Sequence, residues 1–147
     1  MSDKKDIRTF IFEQIQTFCL ENNLPKFRAK QLEEWLWKKR ATSFDEMTSL
    51  SKEIRNLFAD HFVINPVKIY KAEKSIDSTI KYSMQLHDKN LVEGVLIPSK
   101  KRITACISSQ VGCSLDCTFC ATGTLKLERN LDTAEIYDQV FILNEEA

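Results

Sequence analysis

Three cysteines packed into eight residues, in the run Val111-Gly-Cys-Ser-Leu-Asp-Cys-Thr-Phe-Cys-Ala-Thr-Gly123, fall at the spacing Cys-x3-Cys-x2-Cys. Ligands this close must wrap around a metal as a loop. Cys113, Cys117 and Cys120 read as iron–sulfur ligands, each thiolate holding one iron of a cubane and leaving the fourth iron without a protein ligand. An open iron is a place for a substrate or cofactor. Phe119, just before the last cysteine, is expected to give the cluster an apolar wall. A structural zinc site competes, but it needs four ligands, and only Cys117 and Cys120 form a Cys-x2-Cys knuckle, with Cys106, Cys113 or the distant His87 left to complete it. A disulfide framework fits less well. The chain has five cysteines, an odd number, and no apolar signal segment at its N-terminus, which points to a reducing, cytoplasmic compartment.

The hydrophobic pattern predicts an α+β chain that changes character near residue 65. Ile7, Ile11, Ile15 and Phe18 recur at helical spacing, as do Leu32, Trp35 and Leu36 after Pro25, and Leu50, Ile54, Leu57 and Phe58 further on. Three short helices over residues 1–65 are the expectation, with Trp35 in their core and Trp37 partly exposed. After Pro66 the period shortens: Ile80, Tyr82, Met84 and Leu86 alternate with Thr79, Lys81, Ser83 and Gln85, a half-buried strand between turns at Asp77-Ser78 and Asp88-Lys-Asn90. Leu91 to Ile97 and Arg102 to Ser108 read as two more strands. A helix opens at Asp132 or Thr133. The cysteine loop thus lies between a strand and a helix, where a β/α barrel keeps its chemistry.

No stretch of the 147 residues approaches a membrane span, and 43% hydrophobic with 29% charged residues is ordinary for a globular protein. The net charge is zero, but it is unevenly spread. Lys26, Arg28, Lys30, Lys38, Lys39 and Arg40 crowd against Glu33 and Glu34, whereas everything after Asn130 carries only acids. The basic stretch is a candidate phosphate-facing surface; the alternative is a solvated helix face.

The stretch Cys106-Ile-Ser-Ser-Gln-Val-Gly-Cys113-Ser-Leu-Asp-Cys117-Thr-Phe-Cys120-Ala-Thr-Gly123, followed by Arg129-Asn-Leu131, resembles the radical S-adenosylmethionine RNA methyltransferases that modify carbon 2 of adenine in ribosomal and transfer RNA. Resistance enzymes that methylate carbon 8 of the same ribosomal adenine are similar here too. Lys26-Phe-Arg-Ala-Lys-Gln31, Trp35, Phe44-Asp-Glu-Met-Thr48, Asp77-Ser-Thr-Ile-Lys81 and Val92-Glu-Gly-Val-Leu-Ile-Pro98 extend the resemblance over most of the chain. Lys126 and Leu127 depart from it, since many members carry a glycine and an aromatic there.

The resemblance implies a [4Fe-4S] cluster on Cys113, Cys117 and Cys120, S-adenosylmethionine on the open iron, and a 5′-deoxyadenosyl radical as the reactive product. It implies 23S rRNA and tRNA as substrates, an electron donor such as flavodoxin, and a monomer. Cys106 occupies the position of a cysteine that resolves a protein–RNA adduct by a transient disulfide. From the residues alone Cys106 would be a buried strand cysteine. Glu93 matches a proton acceptor of the family, and its strand neighbours Leu91, Val95 and Ile97 suggest an apolar flank suited to a general base. Read without the family, Glu93 is equally an edge-strand charge that blocks sheet aggregation. Cys19 reads as packing, and His61 and His87 as histidines without ligand partners. The domains expected are 1–65, a helical accessory unit that contacts RNA, and 66–147, the truncated start of a partial barrel, inactive by itself. A plain RNA-binding module and a zinc-stabilised structural domain remain as alternatives.

Overall fold

The structure, a computed structural model, describes residues 3–115, 118–119 and 125–147. It divides into two compact units, Met1–Asn65 and Pro66–Ala147.

In the first unit, a two-residue strand β1 (Lys5–Asp6) pairs in parallel with β2 (Phe62–Val63), so the chain enters and leaves side by side. Between them lie helices α1 (Phe12–Glu21), α2 (Phe27–Glu33) and α3 (Lys52–His61). The pattern beginning at Ile7 is not one helix. Asp6 caps a 3-10 turn (Ile7–Thr9) by accepting the Arg8 N–H at 2.9 Å, and the backbone is then extended at Phe10 and Ile11, so α1 starts only at Phe12. Ile7 is fully buried, whereas Ile11 is 62% exposed and belongs to no core face. The same Asp6 carboxylate pairs with the buried Arg8 guanidinium at 3.1 Å and accepts the Asn65 N–H at 2.9 Å, which ties the start of the unit to its end.

α2 widens into a π-helical turn (Glu34–Lys38), with the Lys39 N–H reaching back to the Glu34 carbonyl. Leu32 and Leu36 fill the core, but Trp35 is only half-buried, contrary to the expectation. Its indole N–H requires an acceptor and finds the Ser49 hydroxyl at 2.7 Å, while the Lys39 ammonium sits 3.8 Å from the ring centroid. Trp37 is half-buried as well. The core centres on Phe58, fully buried, with Phe18, Phe44 and Phe62 at ring-centroid distances of 5.5, 6.2 and 6.3 Å.

The second unit is built on a four-stranded sheet in sequence order, β3 (Lys68–Lys74), β4 (Ile80–Gln85), β5 (Leu91–Pro98) and β6 (Ile103–Cys106). Period-2 alternation explains its two central strands. Tyr82, Met84, Val92 and Leu96 point inward and share a core with Ile142 and Leu143 of α4 (Thr133–Glu146), while Lys81, Ser83, Glu93 and Val95 lie on the other face. An Asx turn at Asp77, with Ser78 at φ 68°, closes the β3–β4 hairpin; Asp88 and Lys89 (φ 70°) close the next. Strand β3 was not expected from the pattern, because all seven of its residues are exposed and none alternates.

A two-stranded ribbon, β7 (Gln110–Val111) with β8 (Arg129–Asn130), frames the cysteine segment. Among the described residues the paired strands of this unit are antiparallel, with one isolated parallel bridge between Cys113 and Lys126. The fold is mixed α and β as expected, and the strand immediately before the cysteines is the two-residue β7 of this antiparallel ribbon.

Helix α4 carries the polar groups that fix this arrangement. Asp132 and Glu135 form a capping box, each carboxylate accepting the other's N–H at 2.9 and 3.0 Å. Glu135, 3% exposed, also takes both terminal nitrogens of Arg129 at 2.8 Å. Burial pushes the Glu135 carboxyl up, but the Arg129 hydrogen bonds, the Asp132 N–H, and the charges of Arg129 and His87 outweigh this and hold it below the usual carboxylate range. Asp138 accepts the Val67 N–H at 3.0 Å, and Gln139 brackets Ser108, accepting its N–H and donating to its carbonyl at 2.9 Å each.

Two outcomes follow from this packing. Phe58→Ala removes the ring at the centre of four aromatics and should cost about 3–5 kcal/mol, read by denaturant unfolding of the first unit. Because the Glu135 carboxyl is depressed when folded, the stability it lends is present above the ordinary carboxyl value and lost as pH falls through the lower folded one. Arg129→Met should abolish that acid-side dependence and destabilise the second unit by about 3 kcal/mol at neutral pH, measured by urea titrations across pH.

Candidate functional site

The cysteine segment leaves the ribbon at Gly112. Its φ of +75° is a conformation that disfavours any side chain, and a Cβ there would meet the Lys126 carbonyl oxygen at 2.0 Å. Only glycine lets the outgoing and returning strands come this close. Three backbone bonds pin the returning strand: Cys113 N–H to Leu125 O at 3.2 Å, Glu128 N–H to Val111 O at 2.9 Å, and Leu131 N–H to Ser109 O at 2.9 Å. The loop is therefore clamped at its base. Cys113, half-buried with a free thiol, stands at the clamp and its Sγ accepts the Leu115 N–H at 3.4 Å. Cys117 and Cys120 lie outside the described residues. Phe119 is 92% exposed.

Among the described residues no three His, Cys, Asp or Glu side chains converge as a metal centre. The Cys113 end of the loop nevertheless suits an iron–sulfur group: a thiol, neither oxidised nor sunk in the core, with a backbone N–H directed at its sulfur, one of the bonds by which proteins tune such clusters. His87, a candidate fourth zinc ligand, instead places Nδ1 3.5 Å from the Glu135 carboxylate. That is a partner the sequence did not reveal.

Glu93 and Cys106 come together on the outer face of the sheet. Val95 of β5 is registered opposite Cys106 of β6, and Glu93 lies two residues from Val95, so the carboxylate and the thiol are diagonal neighbours. Cys106 is exposed, which corrects the expectation of a buried strand cysteine. Glu93 is 57% exposed at its side chain, and its nearest charge is the Lys81 ammonium at 3.4 Å, which also lies 3.5 Å from Glu73. Leu91, Val95 and Ile97 share the strand face with Glu93 but do not enclose it, since Leu91 and Ile97 are themselves 47% and 44% exposed. The edge-charge alternative fails too, because β5 lies between β4 and β6. Lys81 was missed as a site residue. The alternation that placed it on the outer face with Glu93 was the available signal.

The link between face and loop is Ser108. Its hydroxyl donates to the Glu93 carbonyl at 2.8 Å while Gln139 holds its backbone, so the segment joining Cys106 to the ribbon has a defined path. Cys19 is fully buried and packs in the first unit, as expected, and burial pushes its thiol up. In that unit the basic stretch is partly engaged locally: Arg28 lies 4.8 Å from the Phe27 ring centroid and bonds Gln31, and Lys38 pairs with Glu34 at 3.8 Å. Lys30, Glu33, Glu34, Trp37 and Lys38 line a shallow hollow of about 260 Å³.

Comparison with known proteins adds three findings. Residues 6–64 match the family model described as the ribosomal RNA large subunit methyltransferase N-terminal domain. Among curated proteins, the probable dual-specificity RNA methyltransferase RlmN of Christiangramia forsetii is 54% identical over 98% of this chain and 41% of its own length, and that of Cytophaga hutchinsonii is 54% identical over 98% and 40%. The crystal structure of a radical SAM methyltransferase from Sphaerobacter thermophilus superimposes with a TM-score of 0.79 at 30% identity, over 97% of this chain and 42% of that one. The chain spans about two fifths of the length of the curated relatives it matches. Over nearly all of its own residues, it is a homologue of the dual-specificity RNA methyltransferases.

Proposed function

We propose that this sequence contributes the cluster-binding loop and part of the RNA-contacting surface of a radical S-adenosylmethionine methyltransferase that modifies carbon 2 of adenine in 23S rRNA and tRNA. The observation that carries this reading is the Cys-x3-Cys-x2-Cys segment on a glycine-clamped ribbon, in a chain whose relatives are named dual-specificity RNA methyltransferases. Cys113, Cys117 and Cys120 hold a [4Fe-4S] cluster in this proposal. With S-adenosylmethionine, that group supplies the radical chemistry that an aromatic C2–H, neither acidic nor nucleophilic, requires.

The chain's own residues then have separable tasks. Gly112 and the ribbon bonds fix the base of the ligand loop. Glu93, kept beside the Lys81 ammonium on an open face, accepts a proton from the adenine carbon being modified. Cys106, exposed and diagonal to Glu93, is the thiol available to resolve a covalent protein–RNA adduct. Its thiolate would attack the sulfur of the adduct-bearing cysteine, an S–S bond forming as that sulfur's bond to the RNA-linked carbon breaks, with the electron pair leaving on the RNA product. The first unit presents Lys26, Arg28 and Lys30 to RNA phosphates, and a reduced flavodoxin-type protein delivers the electron. The carbon-8 reaction of the resistance enzymes uses the same cysteine spacing and is separated by product analysis.

Anaerobic reconstitution with iron and sulfide tests the loop. The native chain should acquire the broad visible absorbance of a cluster and, after dithionite, an electron paramagnetic resonance signal that shifts when S-adenosylmethionine is added. The Cys113→Ala, Cys117→Ala, Cys120→Ala variant should acquire neither. Bound zinc with no iron retained would overturn the reading. In that triple variant, iodoacetamide should modify Cys106 rapidly and leave Cys19 protected until the chain unfolds, as followed by mass spectrometry; equal rates for the two thiols would remove Cys106 from its proposed role.

A further inference from the structure

The β3–β4 hairpin is the least explained part of the second unit. All seven residues of β3 are exposed, so the strand covers no core, and it forms one edge of the sheet. Its register shifts between Ile69 and Lys71, leaving Tyr70 as the extra residue of a bulge, with its side chain 64% exposed. Bulges at sheet edges commonly re-aim a side chain. The hairpin, residues 68–81, carries four lysines, Lys68, Lys71, Lys74 and Lys81, against two acids in a chain of zero net charge.

Both acids are already engaged. Glu73 is shared by Lys71 and Lys81, and Asp77 is turned into its own turn, accepting from the Thr79 N–H and hydroxyl at 3.0 and 3.1 Å. The positive charge of Lys68, two residues from Tyr70 and opposite Gln85 on the outer face, is left to face solvent, whereas Lys74, opposite Ile80, belongs to the other face. Lysines and a bulge by themselves also serve to keep an edge from pairing with another sheet. A half-exposed tyrosine does not help that purpose, but it does supply a stacking platform, and platform plus cations is the combination that holds single-stranded nucleic acid.

Position strengthens the argument. Register carries the outer face from Lys71, opposite Ser83, to Glu93, opposite the same Ser83, and on through Val95 to Cys106. The hairpin edge therefore lies about 14 Å, three strand spacings, from β6 on one continuous surface. That is within the reach of a few nucleotides.

We infer that the β3 edge is a single-stranded RNA contact, with Tyr70 stacking on an unpaired base and Lys68 on a neighbouring phosphate, holding the strand whose adenine lies against Glu93 and Cys106. The inference rests on the RNA methyltransferase reading and adds to it the form of RNA and the surface that grips it. An A-form duplex offers no unstacked base for such a ring.

Fluorescence anisotropy of a short labelled single-stranded RNA containing adenine, titrated with this chain at roughly 50 and 200 mM salt, provides the test. Tyr70→Ala should weaken binding on the order of tenfold at both salts, and Tyr70→Phe should restore it, because the ring and not the hydroxyl does the stacking. Lys68→Ser should lower the slope of log affinity against log salt by about 0.7, the value of one phosphate contact on a single strand. Lys30→Ser with Lys38→Ser in the first unit is the comparison. If only that pair weakens binding and the β3 variants stay within twofold of native, the inference fails while the RNA reading stands. Preference for a duplex of the same sequence would also overturn it. If the native chain binds no RNA at low salt and holds no iron, the inference falls together with the reading beneath it.

Discussion

The second unit depends on one face of α4, where Glu135, Asp138 and Gln139 are sealed from water and so have to find partners. Their partners are separate stretches of chain: Arg129 at the end of the cysteine loop, Val67 at the entry to β3, and Ser108 after β6. Each bond is modest by itself, but leaving any of these groups buried and unpaired would cost more than the bond contributes. The helix therefore acts as a fixed rail on which the sheet and the ribbon are registered. The apolar side of the same helix, Ile142 and Leu143, only needs to be covered, and it meets Met84 and Leu96 across the sheet.

Two surfaces result that differ in chemistry and are joined by a short strap. One is the ribbon and its loop, where backbone hydrogen bonds and one glycine set the position of Cys113. The other is the outer face of the sheet, where Lys71, Glu73, Lys81 and Glu93 run across three strands toward Cys106. Exposed ion pairs of this sort add little stability. Their effect is to restrict where a carboxylate can point. Ser108, held from below by Gln139 and bonded to the Glu93 carbonyl, connects the two surfaces.

Legibility from sequence followed the strength of the physical signal. Strands β4 and β5 could be read because one face meets a core and the other meets water. β3 could not, since a strand exposed on both faces leaves no alternation. Helical spacing from Ile7 onward was misleading because a local cap, Asp6 on Arg8, competed with continuous helix and won. Trp35 packs against the core but stays half-buried for a reason that hydrophobicity scales omit, the need of its N–H for an acceptor. In the site, the cysteine spacing was plain, and the pairing of Glu93 with Cys106 on one face follows from strand register once β5 and β6 are known neighbours. The ion pairs of Glu135 and His87 join residues 6 to 48 positions apart, and no local pattern announces them.

The parallel pairing of Lys5 with Phe62 and Asp6 with Val63 brings the two ends of the first unit together, and the Asp6 carboxylate then grips both Arg8 and Asn65. A unit closed on itself in this way has its own aromatic core and makes few demands on the chain that precedes or follows it. Such a cassette can be gained, lost or transplanted in evolution as a single piece, much as inserted domains are, without re-registering the sheet to which it is attached.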